Sequence, residues 1–138
     1  MTIIRPVMHF LSRPAVRVAL ALAWTLFLTV LLVQPSGDPV IGPPAPPGQP
    51  TPMRELLLMT AHLVTFAVLV LVWRWALVPY LSLRGAMFVA VGFALIFGAL
   101  TEFAQNFSAN RDPSLFDVAT DWFSTGVVAV ICWLRQSG

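Results

Sequence analysis

Six polar residues set the chemistry open to this sequence: His62, Glu102, Gln105, Arg111, Asp117 and Asp121. Carboxylates and an imidazole can hold, accept or pass protons. An arginine fork matches phosphate or carboxylate in two parallel hydrogen bonds, and a glutamine amide both donates and accepts. Such a set would serve the hydroxyl, amide, amine and anionic groups of one polar ligand. Five charged residues (Glu102, Arg111, Asp112, Asp117 and Asp121) fall in the single stretch "TEFAQNFSANRDPSLFDVATD". Other chemistry has no residues to carry it. The chain has no HExxH, no Gly-rich phosphate loop and no nucleophile motif around Ser108, Ser114 or Ser124. A single cysteine, Cys132, excludes an intrachain disulfide and a cysteine-based zinc site. No cofactor is expected and no established metal spacing is present, although the acids could hold a divalent cation through oxygen.

The elements that must position these residues follow from composition. Of 138 residues, 58% are hydrophobic and only 10% charged, with a mean hydropathy of +0.83. That is too little polar surface to cover a soluble domain, so the expectation is one integral membrane domain spanning residues 1–138. A net charge of +2 without a basic patch gives no reason to expect nucleic acid.

Four apolar runs approach the roughly 20 residues needed to cross a bilayer. They predict helices over residues 16–33, 55–78, 86–107 and 115–134. The first follows Arg5 and Arg13 and contains Arg17, as the charged region of a signal peptide would. It is longer than a usual signal core and no small-residue cleavage site precedes Gln34, which favours a retained helix. Residues 34–53, "QPSGDPVIGPPAPPGQPTPM", read as an extended external linker, because proline removes backbone donors and fixes φ. Trp73, Trp75, Tyr80, Arg74 and Arg84 mark a membrane interface after the second run, which Pro79 helps to end. Gly92 and Gly98 leave room for close helix approach in the third.

Arginine placement gives an orientation. With the N-terminus inside, Arg5, Arg13, Arg17, Arg74, Arg84 and Arg135 are cytoplasmic, and only Arg54 and Arg111 fall outside. Both termini are then cytoplasmic. The short loop over residues 106–114 predicts that helices three and four form a tight antiparallel hairpin. In this arrangement His62, Glu102, Asp117 and Asp121 converge in the outer half of the bilayer, beneath Arg111. Glu102, Gln105 and Asn106 share a face of helix three; Asp117, Thr120, Asp121 and Ser124 share one of helix four. Since a carboxylate facing lipid costs several kcal/mol, these stripes should face each other or a wet cavity. Ser114 is placed to cap helix four, where Asp117 complements the dipole.

Each residue also has a purely structural role open to it. Asp117 can be a first-turn acid, Arg111 a loop pin and His62 an interhelix donor. Gln105 and Asn106 can be interhelix hydrogen-bonding residues worth on the order of 0.6 kcal/mol each. As a set they favour a site, because buried paired charges seldom stabilise better than apolar packing.

The pattern Glu102-x-x-Gln105, a loop Arg111, Asp117 six residues on, and Asp121-x-x-x-x-Gly126 resembles the VanZ-like family of small bacterial membrane proteins. "RELLLMTAHLVTF" supplies the family's histidine and following aromatic as His62 and Phe66, without the usual Asp-Lys pair. Asp121 stands where asparagine is commoner. The resemblance covers residues 54–134. It implies a four-helix protein of the bacterial plasma membrane, and the family's named member is associated with teicoplanin resistance. It supplies no biochemical mechanism.

Three functions stay open, with a proton-relay transporter a weaker fourth because no charged residue continues the path through the inner half of the bilayer. One is a binding module for the head group of an amphiphile, such as a lipoglycopeptide or a lipid-linked envelope precursor, held by His62, Glu102, Gln105, Arg111, Asp117 and Asp121. Another is an intramembrane enzyme acting on a lipid head group, with His62 and Glu102 or Asp117 as base and orienter. The third is a structural or accessory subunit, in a homo-oligomer or with an envelope protein partner. The absence of a nucleophile motif weighs against the enzyme.

Overall fold

The computed structural model describes residues 12–34, 52–107 and 115–137. These form four helices: α1 (Pro14–Val33), α2 (Pro52–Leu77), α3 (Leu83–Gln105) and α4 (Leu115–Ser137). Each contains a segment long and apolar enough to cross a membrane. Arg111, Ser114 and most of the proline-rich linker lie outside the described residues, as do Arg5 and the side chain of Arg54.

Local chemistry explains the boundaries. Prolines open α1 and α2, where the missing N–H is one that no helix would use. Pro52 therefore starts a helix inside the stretch expected to be linker. The second helix ends at Leu77, two residues before Pro79, and a turn closes on the Leu77 carbonyl, which accepts from the N–H groups of Tyr80 and Leu81. Ser82 then caps α3, its hydroxyl accepting from the Gly85 N–H at 3.1 Å. This cap starts α3 three residues ahead of the expected Ala86.

Among the described residues α2 and α3 each pack against all three other helices, whereas α1 and α4 do not meet. Leu28, Leu32, Phe66, Leu69, Val70, Ala90 and Ala94 form the core. An aromatic series runs through it. His62 stacks on Phe66, Phe66 meets Phe97, and Phe97 stacks on Phe93, which in turn meets Trp73. Trp73 donates its indole N–H to the Thr25 hydroxyl at 3.0 Å and so ties this series to α1.

The buried face of α3 shows how the helices come close. Ala86, Ala90, Ala94 and Gly98 recur every fourth residue, and the same face continues into Thr101, Glu102 and Gln105. Small residues at this spacing let backbones approach, which matters where lipid removes the hydrophobic drive between helices. A Cβ on Gly98 would lie 3.2 Å from the Phe66 ring and 3.4 Å from Asp121 Cβ and Oδ2. Gly92, expected to serve the same purpose, has nothing within 4 Å of that position. Gly98→Val should therefore destabilise the bundle by about 1–3 kcal/mol through overpacking. Gly92→Ala should leave stability unchanged or raise it by up to about 1 kcal/mol. Thermal unfolding in detergent, followed by circular dichroism, checks the pair. Equal behaviour of the two variants would refute the assignment.

Candidate functional site

The polar residues of α3 and α4 are turned inward while leucine, phenylalanine and valine cover the outside. Glu102, Gln105, Thr101, Thr120, Asp121, Ser124 and Thr125 are all buried, whereas Phe88, Ile96, Phe103, Phe123 and Val130 are exposed. This distribution is inverted relative to a water-soluble protein and fits one whose outer face meets hydrocarbon.

At the centre, Nδ1 of His62 lies 2.9 Å from Oδ1 of Asp121, and the Asp121 side chain is 3% exposed. A nitrogen and an oxygen this close share a proton. With the carboxylate ionised, Nδ1–H donates to Oδ1 and Nε2 is the nitrogen left for other work. The ring is fixed on its face as well, because Phe66, one turn on, stacks with it at 6.5 Å and 4° between planes. Gly98 supplies the space that Asp121 and Phe66 occupy. Three helices thus build the pair: α2 gives the imidazole and its stacking ring, α4 the carboxylate, and α3 the gap.

One turn from Gly98 and on the same buried face, α3 presents Glu102, followed by Gln105. Glu102 is 7% exposed and Gln105 only 2%. Asp117 is half-buried in the first turn of α4. Glu102, Asp117 and His62 each have further interactions of their own. Asn106 does not belong to the stripe expected on α3. It is exposed, and its side-chain amide donates to the Phe103 carbonyl at 2.9 Å, finishing the helix. Arg111 lies outside the described residues.

Base-and-orienter pairing is expected from the sequence between His62 and Glu102 or Asp117; the orienting contact at 2.9 Å comes from Asp121. Spacing alone puts Asp121 on the right face but leaves its partner open, because α2–α4 register is not written in either helix. Two further groups are not evident in the sequence. Thr101, buried on the same face of α3, donates its hydroxyl to the carbonyls of Phe97 and Gly98, so its proton is satisfied within its own helix. Thr125, four residues after Asp121, is fully buried and its Oγ1 has no partner among the described residues. The i+4 relation of Thr125 to Asp121 is the signal available for it. Ser124 donates to the Leu63 carbonyl and joins α4 to α2 below the pair. Trp122 likewise donates its indole N–H to the Leu95 carbonyl of α3 at 3.1 Å.

No group of three or more His, Cys, Asp or Glu residues is placed to hold a metal ion among the described residues. What the arrangement can do is hold a proton between His62 and Asp121, accept hydrogen bonds at Glu102, and donate or accept at Gln105.

Removing one member of a buried hydrogen-bonded pair leaves the other unsatisfied, at about 1–3 kcal/mol. His62→Ala should cost that much in unfolding free energy, and His62→Ala with Asp121→Ala should cost clearly less than the two single losses added. Strict additivity in a double-mutant cycle would show the pair is not coupled. Thr125→Val replaces an unpaired buried hydroxyl by a methyl of similar shape and should raise stability by about 1 kcal/mol. A loss of stability would mean that the hydroxyl has a partner.

Four membrane-length helices around a buried polar cluster define the class: the fold fits an all-helical, multi-pass membrane protein. Comparison with known proteins goes no further, since no family model, no curated protein and no solved structure matches the chain.

Proposed function

We propose that this chain is a VanZ-like protein of the bacterial plasma membrane whose polar cluster binds the head group of an amphiphile. The ligand is a lipid-linked envelope precursor or a lipoglycopeptide such as teicoplanin, and binding the latter would contribute to glycopeptide resistance. The reading rests on one observation: Glu102, Gln105 and Asp121 are buried together in a bundle whose outer faces are apolar. Polar groups in that setting stabilise a fold poorly compared with apolar packing, so a ligand gives them a reason to be there.

In this reading α3 and α4 form an antiparallel hairpin. Asp121 lies by Gly98, Trp122 bonds to Leu95, and Trp133 shares a groove wall with Arg84 and Met87. These neighbours support the hairpin, because they advance along α4 as they retreat along α3. The cluster faces the extracytoplasmic side, with both termini cytoplasmic and Arg111 over the site, as the arginine bias and the loop position imply. Arg111 takes a phosphate or carboxylate, and Glu102, Gln105 and Asp117 take amine, amide or hydroxyl groups. The His62–Asp121 pair favours one alternative, a head-group hydrolase in which Asp121 orients His62 as a base.

Native mass spectrometry of the full-length protein from bacterial membranes tests the binding reading. The wild type should retain an amphiphile, and Arg111→Ala should lower retention about tenfold, the loss of one charge-assisted contact. Glu102→Gln should lower it while far-UV circular dichroism stays unchanged. No retained amphiphile, or retention indifferent to both changes, would overturn the proposal. Release of labelled head group by purified protein, abolished in His62→Ala, would replace the binder by the enzyme.

A further inference from the structure

A second feature lies at the opposite end of the α3–α4 interface from Asp121. Arg84, Met87, Phe88, Val91, Ala129, Val130 and Trp133 enclose a groove of about 410 Å³. Its walls are apolar except for the one guanidinium, and Arg84 and Trp133 are both exposed. From Arg84 to Val91 the groove runs about 10 Å along α3, at ~1.5 Å per residue. No acid lines it, and Arg84 makes no ion pair among the described residues.

We propose that this groove is a binding site for an anionic phospholipid, with the start of one acyl chain between α3 and α4 and the phosphodiester on Arg84. The chemistry of the walls selects the occupant. A slot of methyl, methylene and aromatic surface opening on lipid takes a hydrocarbon chain at no desolvation cost. A single arginine at its mouth then prefers a head group with net negative charge over a zwitterion whose own cation opposes it. Trp133 beside Arg84 suits the same depth, since indole rings settle at the head-group level. Arg135 adds a second exposed positive charge two residues beyond Trp133. Neither the groove nor its arginine takes part in the cluster around His62, so this site stands whether or not the head-group proposal does.

The test uses full-length protein exchanged into detergent with equal amounts of phosphatidylglycerol and phosphatidylcholine of matched chains, read by native mass spectrometry. Wild type should retain phosphatidylglycerol in preference, by about fivefold for one basic residue near the surface. Arg84→Ala should remove the preference and Arg84→Lys should keep part of it. Ala129→Phe, which fills the groove and leaves the charge in place, should lower retention of both lipids. Phosphatidylglycerol held instead at the proposed head-group site would be lost in Arg111→Ala and kept in Arg84→Ala, which separates the two sites. Equal retention of the two lipids by wild type would overturn the proposal. So would a preference that survives both Arg84→Ala and Ala129→Phe, or a dimer without bound lipid that Ala129→Phe dissociates, because a second copy would then be the occupant.

Discussion

Asp121 is a carboxylate almost wholly withdrawn from solvent inside a bundle whose outer surface is hydrocarbon, and its proton-sharing contact with His62 is the constraint around which the other helices are arranged. An ionised group left alone there would be costly enough to expel the helix or to stay protonated. Pairing it demands that α2 and α4 fix their register to within a fraction of a turn. The pair also leaves little room for a side chain on α3 where Asp121 and Phe66 pass, which makes Gly98 spatially part of it. Stacking of Phe66 on the imidazole then makes the ring's orientation a property of the apolar core. The polar contact and the packed core are one object.

That coupling gives the bundle its asymmetry. Along α3 the face toward the interior begins as alanine and ends as Thr101, Glu102 and Gln105. The small residues hold the helices close enough that the polar ones have no room to turn toward lipid. Threonines at positions 25, 29, 60, 65, 101 and 120 return their hydroxyl protons to their own helices, so they add polarity without needing a partner helix. Thr125 departs from this habit. At the other end the polar groups are arginines: half-buried Arg17 lies over the Trp75 ring at 5.0 Å, and exposed Arg84 stands at the groove. Carboxylate and amide groups are therefore buried at one end, and arginines gather at the other.

Much of this is legible in the amino-acid sequence. Four spans and the inward-facing stripe of α4 follow from hydropathy and helical spacing alone, whereas spacing does not tell Gly98, which meets Phe66 and Asp121, from Gly92, which meets nothing. The features that are not legible have a common cause. Within one helix the period of 3.6 residues fixes which residues share a face, so Glu102 and Gln105, or Asp121 and Ser124, can be grouped. Between helices only packing decides, so His62 can be placed near three acids without showing which one it meets. The Ala86–Ala90–Ala94–Gly98 ladder is readable by its spacing of four but is easily overlooked in a run where alanine is common. Asn106 leaves the stripe that spacing assigns it, because a residue one past a helix end obeys capping geometry and not the helical period.

The same distinction bears on what the cluster is for. A histidine–aspartate pair that served only to lock α2 against α4 could be replaced by two apolar side chains, which usually hold helices at least as well. Glu102 and Gln105 lie one to two turns beyond Gly98 on the same buried face of α3. Their presence on the face that Asp121 meets lengthens the polar surface toward the α3–α4 loop, the direction in which the chain carries Arg111. A purely structural pair would end at Asp121. A surface for a polar head group would continue beyond it, and that continuation is what the proposed function draws on.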